Sequence, residues 1–285
     1  MTGTKPTLAG SCTPAPGTLG VSLTNSVTAA NMATTVDAGS TSYCGSTVNT
    51  ANQFRIMHAS DYTNGKDPLV GSNPGLPILP PSEFGYYNSS IRLGNCQVDA
   101  HAEALYYQFN VSPENALFLI NYAIVVQAPG HGPASDPAFT VRVQRLVNGT
   151  WTTINDSLCY MISSSGLSNG TDSWHSYSGS GGSGFYRDWK QIAVSLYKYC
   201  YSTVRVEITI GDCSAYGHYA YCYIAGNCQP MELNAGGCAS GDNDTVTTIY
   251  APKGMDQYTW YYSRNGVVPS NEPTNVAYYN AITGS

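Results

Sequence analysis

Between Val204 and Ile210 every second residue is aliphatic: Val204, Val206, Ile208 and Ile210 alternate with Arg205, Glu207 and Thr209. A period of two fits an extended strand with one face against an apolar layer and the other toward polar surroundings. The pattern recurs with Leu105, Tyr107, Phe109 and Val111 opposite Tyr106, Gln108 and Asn110, and again with Phe139, Val141 and Val143 opposite Thr140, Arg142 and Gln144. Shorter strand signals lie at Ser90–Gly94, Trp189–Leu196 and His218–Ile224, the last with Tyr219, Tyr221 and Tyr223 on one face. Ala116 to Gln127 is apolar almost throughout, which predicts a central strand covered on both sides, with a buried helix as the alternative. Charged residues make up only 11% of the chain, so the long charged runs that favour helices are missing, while 23 tyrosines suit half-buried strands. Seven or more short strands with turns between them predict an all-β fold, an antiparallel β-sandwich, jelly-roll-like on size.

The sandwich is expected over residues 51–233. Residues 1–50, rich in Thr, Ser, Ala and Gly, read as an arm or linker. Pro68, Pro74, Pro77, Pro80 and Pro81 mark a long irregular loop. After Pro230 the texture resets, and Thr245–Tyr250 followed by Tyr258-Thr259-Trp260-Tyr261 predicts a partial immunoglobulin-like segment over 234–285.

A net charge of −6 with no Lys/Arg cluster gives no electrostatic footprint for nucleic acid or anionic lipid. The apolar run Ala116–Ala128 is too short to span a bilayer, so no membrane insertion is expected. Nine cysteines without a C-x-x-C pair point to an oxidising, extracellular setting rather than zinc or thioredoxin chemistry. Cys96, Cys159, Cys200, Cys213 and Cys228 are the disulfide candidates, and the odd count leaves at least one cysteine outside any pair within the chain. No signal-peptide pattern opens the chain, which reads as a processed chain or a fragment of something longer.

Five phrases stand in order: Ser90-Ile91-Arg92-Leu93-Gly94-Asn95, Ala102-Glu103-Ala104-Leu105-Tyr106-Tyr107, Gln127-Ala128-Pro129-Gly130-His131, Pro137-Ala138-Phe139-Thr140-Val141, and Asp212-Cys213 followed by Gly217-His218-Tyr219-Ala220-Tyr221. Together they resemble a module of very large Bacteroidetes surface proteins, similar to gliding-motility adhesins exported by the type IX route. The resemblance covers roughly residues 50–230, and Thr245–Tyr261 is similar to the immunoglobulin-like or PKD-like segment that commonly follows. It implies a secreted, cell-surface, multidomain and non-enzymatic β-protein acting in attachment or as a stalk unit. Its expected partners are surface glycans, other cell-surface proteins and neighbouring domains. Cys222 stands where the resembling pattern has a small residue, which nominates it as the unpaired thiol.

Several constellations are candidate sites. Gly166-Leu167-Ser168-Asn169-Gly170 matches a hydrolase G-x-S-x-G motif, but a Ser/Gly/Asn loop without a following helix lacks the strained elbow that exposes the serine. His131, Asp136, Asp212 and His218 flank two connections that a sandwich can bring to one end, where they would bind a metal or form a hydrolytic relay. The alternative is structural, with Asp212 capping a turn through its carboxylate and His218 bonded to backbone. Glu103 sits among apolar neighbours and needs a partner, either Arg92 or a structural calcium held with Asp136 and Asp212. Tyr86, Tyr87, Trp174, Tyr177, Tyr186 and Trp189 lie in or beside long loops, where exposed rings would form a carbohydrate-binding face; the alternative is ordinary surface and core filling, with the ring packed and the hydroxyl wet. Trp174, Tyr186 and Trp189, with His131 and His218, are the ligand-binding candidates. Glu207, on the polar face of its strand, is expected either to be solvated or to pair with Arg142 of a neighbouring strand.

Overall fold

The computed structural model describes residues 2–4, 25–28, 54–71, 74–98, 102–127, 135–154, 159–163, 173–179, 182–213, 217–231, 234–236, 248–250, 257–261 and 276–279. The strands are β1 (Thr2–Thr4), β2 (Asn25–Thr28), β3 (Phe54–His58), β4 (Ser89–Gly94), β5 (Ala102–Asn110) and β6 (Leu117–Val126). They continue with β7 (Ala138–Val147), β8 (Thr150–Thr153), β9 (Cys159–Ser163), β10 (Trp174–Gly179), β11 (Gly182–Ser195) and β12 (Thr203–Gly211). The last are β13 (Ala220–Gln229), β14 (Asn234–Gly236), β15 (Thr248–Tyr250), β16 (Gln257–Tyr261) and β17 (Val276–Tyr279).

Two sheets form the sandwich. The first runs β10-β11-β6-β13-β4-β3, and the second runs β2-β5-β12-β7-β8, with β9 also on β7. Apart from β2, which lies parallel to β5, the pairings are antiparallel. The alternating residues do what their period demands. Ile208 lies opposite Leu105 on one side and Val141 on the other, and Val204, Val206, Ile208 and Ile210 all enter the layer between the sheets. From the first sheet, Phe118, Ile120, Tyr122, Ile124 and Val126 of β6 meet them, with Ile192 and Val194 of β11 and Cys222 and Ile224 of β13. Full burial of one such aliphatic side chain contributes roughly 1.5–3 kcal/mol, so this layer dominates the stability.

The run from Ala116 is a strand, buried at all ten positions of β6. Its even-numbered residues face the second sheet. Ala123 and Val125 face the opposite way, into a second apolar layer with Met57, Leu69, Leu76, Ile78, Tyr186, Trp189, Tyr219, Tyr221 and Tyr223. The proline-rich segment is the cover of that layer. It is pinned by Asp67 N–H to Leu76 O at 2.8 Å, Ile78 N–H to Gly65 O at 3.0 Å, and the Trp189 indole N–H to Pro77 O at 2.8 Å. The first sheet is therefore covered on both faces, which is why β6 lacks alternation.

One sequence expectation changes here. The Ser/Gly-rich stretch before Trp189 is part of β11, which begins at Gly182 and forms a hairpin with β10. Glycine is required there: a Cβ on Gly184 would lie 2.3 Å from Val126 O, so the strand reads as a loop only by composition. Within residues 1–50, Asn25–Thr28 adds to the edge of the second sheet and Thr2–Thr4 pairs with β16. Beyond the sandwich, β1-β16-β17 and β14-β15 are separate small sheets.

Candidate functional site

The two sheets differ in their outward faces. That of the first is buried beneath the proline-rich segment, while the second presents the polar half of its alternating strands. Across its middle, Glu207 of β12 stands between Tyr106 of β5 and Arg142 of β7, and Arg205 stands between Gln108 and Gln144. A two-residue turn at Asn148 and Gly149, both with positive φ, folds β8 back onto β7 and sets Trp151 opposite Leu146.

The side chains lock together. The Arg205 guanidinium lies 4.6 Å from the Trp151 ring centre and 4.9 Å from that of Tyr106, and Arg205 Nε–H donates to Gln144 Oε1 at 2.6 Å. Arg142 Nη2 donates to Glu207 Oε1, one of the two outcomes expected from the sequence. Tyr106 is hydrogen-bonded to Glu207; burial, followed by that carboxylate's charge, pushes the phenol above its ordinary range and keeps it neutral. Trp151, Tyr106 and Arg205 are half-buried, Gln108 is exposed and Glu207 is buried. Aromatic planes held by a stacked cation, beside fixed donors and acceptors, can take a polyhydroxylated ring: its C–H face on an aromatic plane, its hydroxyls on the guanidinium, amide and carboxylate groups.

The aromatic residues nominated from sequence are elsewhere. Trp174, Tyr186 and Trp189 are 4%, 1% and 6% exposed, so they are interior residues of β10 and β11 and not a loop surface. Trp174 packs in the layer between the sheets with Arg187 over its ring at 5.8 Å, and Tyr186 and Trp189 pack under the proline-rich segment. Tyr86 is exposed, whereas Tyr87 accepts a hydrogen bond from Asn121 Nδ2 at 2.8 Å. Sequence reasoning placed Tyr106, Gln108, Arg142, Gln144, Arg205 and Glu207 on polar strand faces but passed over their adjacency; Asn148-Gly149 was the available signal for β8.

Glu103, Asp136 and Asp212 are all buried. Burial, then the charge of Asp212, pushes the Glu103 carboxyl well above the usual range, while Arg92 opposes the shift. Asp212 Oδ1 accepts the Ala220 N–H at 2.8 Å, and Cys213 N–H bonds His218 O at 2.9 Å, so these residues organise the β12–β13 connection. Among the described residues, no three or more His, Cys, Asp or Glu side chains are grouped to hold a metal. His131 and the Gly166–Gly170 motif lie outside the described residues.

The disulfide expectations are corrected in part. Cys96 is disulfide-bonded. Cys200, Cys213 and Cys228 are not in disulfides, and neither is Cys222, the thiol nominated as unpaired. Cys200 and Cys213 are out of reach of each other: they lie beyond opposite ends of β12, and at about 3.3 Å per residue the nine-residue strand holds them far beyond the roughly 7 Å limit for a bridge. The side chain of Cys159 is outside the described residues.

No family model matches the chain, and no curated protein matches it. Among solved structures, the chain is similar to TmCBM61 in complex with β-1,4-galactotriose, at a TM-score of 0.27 and 7% identity, over 62% of this chain and 88% of that one. A likeness that slight does not bear on function.

Proposed function

We propose that this chain is a non-catalytic recognition module of a secreted surface protein, and that it binds a saccharide on the outer face of the second sheet. The Trp151–Arg205–Tyr106 stack carries the proposal, because it holds aromatic planes and polar groups on the sheet face that the proline-rich segment leaves uncovered. Gln108 and Arg142 stand beside it as groups for sugar hydroxyls, and Glu207 fixes Arg142 in place. The buried Asp212 is engaged with Ala220 N–H, which favours its structural role over a hydrolytic one.

Glycan-array screening of the purified chain, followed by calorimetry on the hits, tests this. Saturable binding is expected, weakened at least about tenfold by Trp151→Ala or Arg205→Met with the circular dichroism spectrum unchanged. A blank array, or hits indifferent to both substitutions, would refute it. Attachment as the biological role, within a type IX-exported adhesin, has the resemblance of the five sequence phrases as its support. The complete reading frame is the test, with repeats and a C-terminal sorting domain expected.

A further inference from the structure

We infer that the sandwich takes a small hydrocarbon group, either a single aromatic ring or the end of an alkyl chain, into a cavity between its sheets. The cavity measures about 200 Å³. Leu105, Val206 and Ile208 of the second sheet and Phe118, Ile120 and Ile224 of the first form its walls. It lies directly behind the candidate saccharide face, since Val206 points inward between the outward-facing Arg205 and Glu207.

Protein interiors are packed to the density of organic crystals, and voids larger than a water molecule are few. Water gains little in most of this one: the walls are aliphatic and aromatic carbon, and the only polar side chains among the lining residues are Tyr107 and Asn227. An apolar cavity of about 150 Å³ is known to stay dry and to take up benzene, so the present volume suits one ring or a chain of comparable bulk. The gain is dispersion contact that the wall atoms otherwise lack.

The rim shows how such a group enters. Tyr107 of β5 is 37% exposed and stacks on Phe118 at 5.4 Å and 10°, while its hydroxyl donates to the Cys228 sulfur on β13 of the opposite sheet. One side-chain contact thus bridges the two sheets at the mouth. Gly226 and Asn227 of β13 also line the cavity, and the glycine contributes no side-chain bulk. Rotation of Tyr107 away from Cys228 opens the cavity without moving a strand.

The test uses the full chain with two probes, fluorobenzene followed by fluorine NMR and 1-hexanol followed by methyl-region NMR. Saturable one-site binding of either is expected, with a raised melting temperature. Fluorobenzene alone assigns the cavity to aromatic rings, hexanol alone to alkyl chains. Val206→Phe fills the space and is expected to weaken binding at least about tenfold with the fold retained; should it fail to fold, Val206→Leu gives the same readout with less added volume. Ile208→Ala enlarges the space and shifts preference toward a larger probe, naphthalene. Failure of both probes to saturate on the unmodified chain, or unchanged affinity in a folded filled variant, overturns the inference. Neither outcome bears on saccharide binding, which occupies the other face of the same sheet.

Discussion

Tyr221 donates its phenolic hydrogen to Asp67 Oδ2 at 2.8 Å, joining residues 154 positions apart in the chain. Tyr223 donates to the same oxygen at 2.8 Å, and the Leu69 and Val70 amides donate to Oδ1 at 2.8 and 3.0 Å. One buried carboxylate therefore receives four donors and fastens the proline-rich segment to β13. Burial outweighs those four bonds and leaves the Asp67 carboxyl above its ordinary range, so the anion is costly and its partners indispensable. Asp67→Ala is expected to lower unfolding stability by roughly 3–5 kcal/mol, against about 1 kcal/mol for Tyr221→Phe, because the first change strands four buried donors and the second removes one. Urea unfolding of both variants measures the ratio.

Glu103 sets a pH dependence of opposite sense to that of an exposed ion pair. Its carboxyl is pushed well up by burial and by Asp212, so its folded pKa exceeds the unfolded one. Below the unfolded pKa both states are protonated and the group contributes nothing. As pH rises through that value, the unfolded chain releases the proton first. Stability then falls at up to about 1.4 kcal/mol per pH unit until the folded pKa is passed. Glu103→Gln is expected to be more stable than the parent at neutral pH and equal to it near roughly pH 4. A difference that stays flat across that range in denaturant titrations would exclude this origin.

The tryptophans should separate by role. Trp174→Ala and Trp189→Ala each empty a packed interior site and are expected to cost roughly 3–5 kcal/mol. Trp151→Ala removes a half-buried ring stacked on Arg205 and is expected to cost about 1 kcal/mol. Thermal melts of the three, run beside the glycan assay, distinguish a binding residue from a core residue.

Two glycines at similar φ offer a controlled comparison. Gly94 has φ +84°, and a Cβ there would lie 2.6 Å from Ala220 O; Gly149 has φ +81° with nothing within 4 Å. Gly149→Ala is expected to cost about 1 kcal/mol for the left-handed backbone alone, and Gly94→Ala roughly 3 kcal/mol, since strand β4 must also move off β13. Equal melting temperatures for the two variants would contradict the close approach.

Much of the architecture was legible in the residues. The alternation of Val204–Ile210 identified β12 and its inward face, the unbroken run from Ala116 identified a strand covered twice, and Arg142 was named as a partner for Glu207. Tyr186 and Trp189 were read as lying in or beside a loop because Gly182 and Gly184 give β11 the composition of one, although a positive φ requires glycine at 182 and close approach to β6 requires it at 184. The stack on the second sheet was missed for a different reason: Tyr106, Arg205 and Trp151 come from three strands whose order no local pattern encodes.

Strand identity and the direction of each side chain follow from local periodicity, because successive residues in an extended chain must point to opposite faces. The sequence alone therefore determined that this is an all-β chain with an apolar and a polar side to most of its strands. Which polar side remains open was decided only by tertiary structure. Asp67 brings the proline-rich segment onto the first sheet through bonds to residues more than 150 positions away, leaving the outward face of the second sheet, with Tyr106, Trp151 and Arg205, as the one that segment does not cover. Such long-range docking depends on the complementarity of two finished surfaces, and neither segment carries that information by itself.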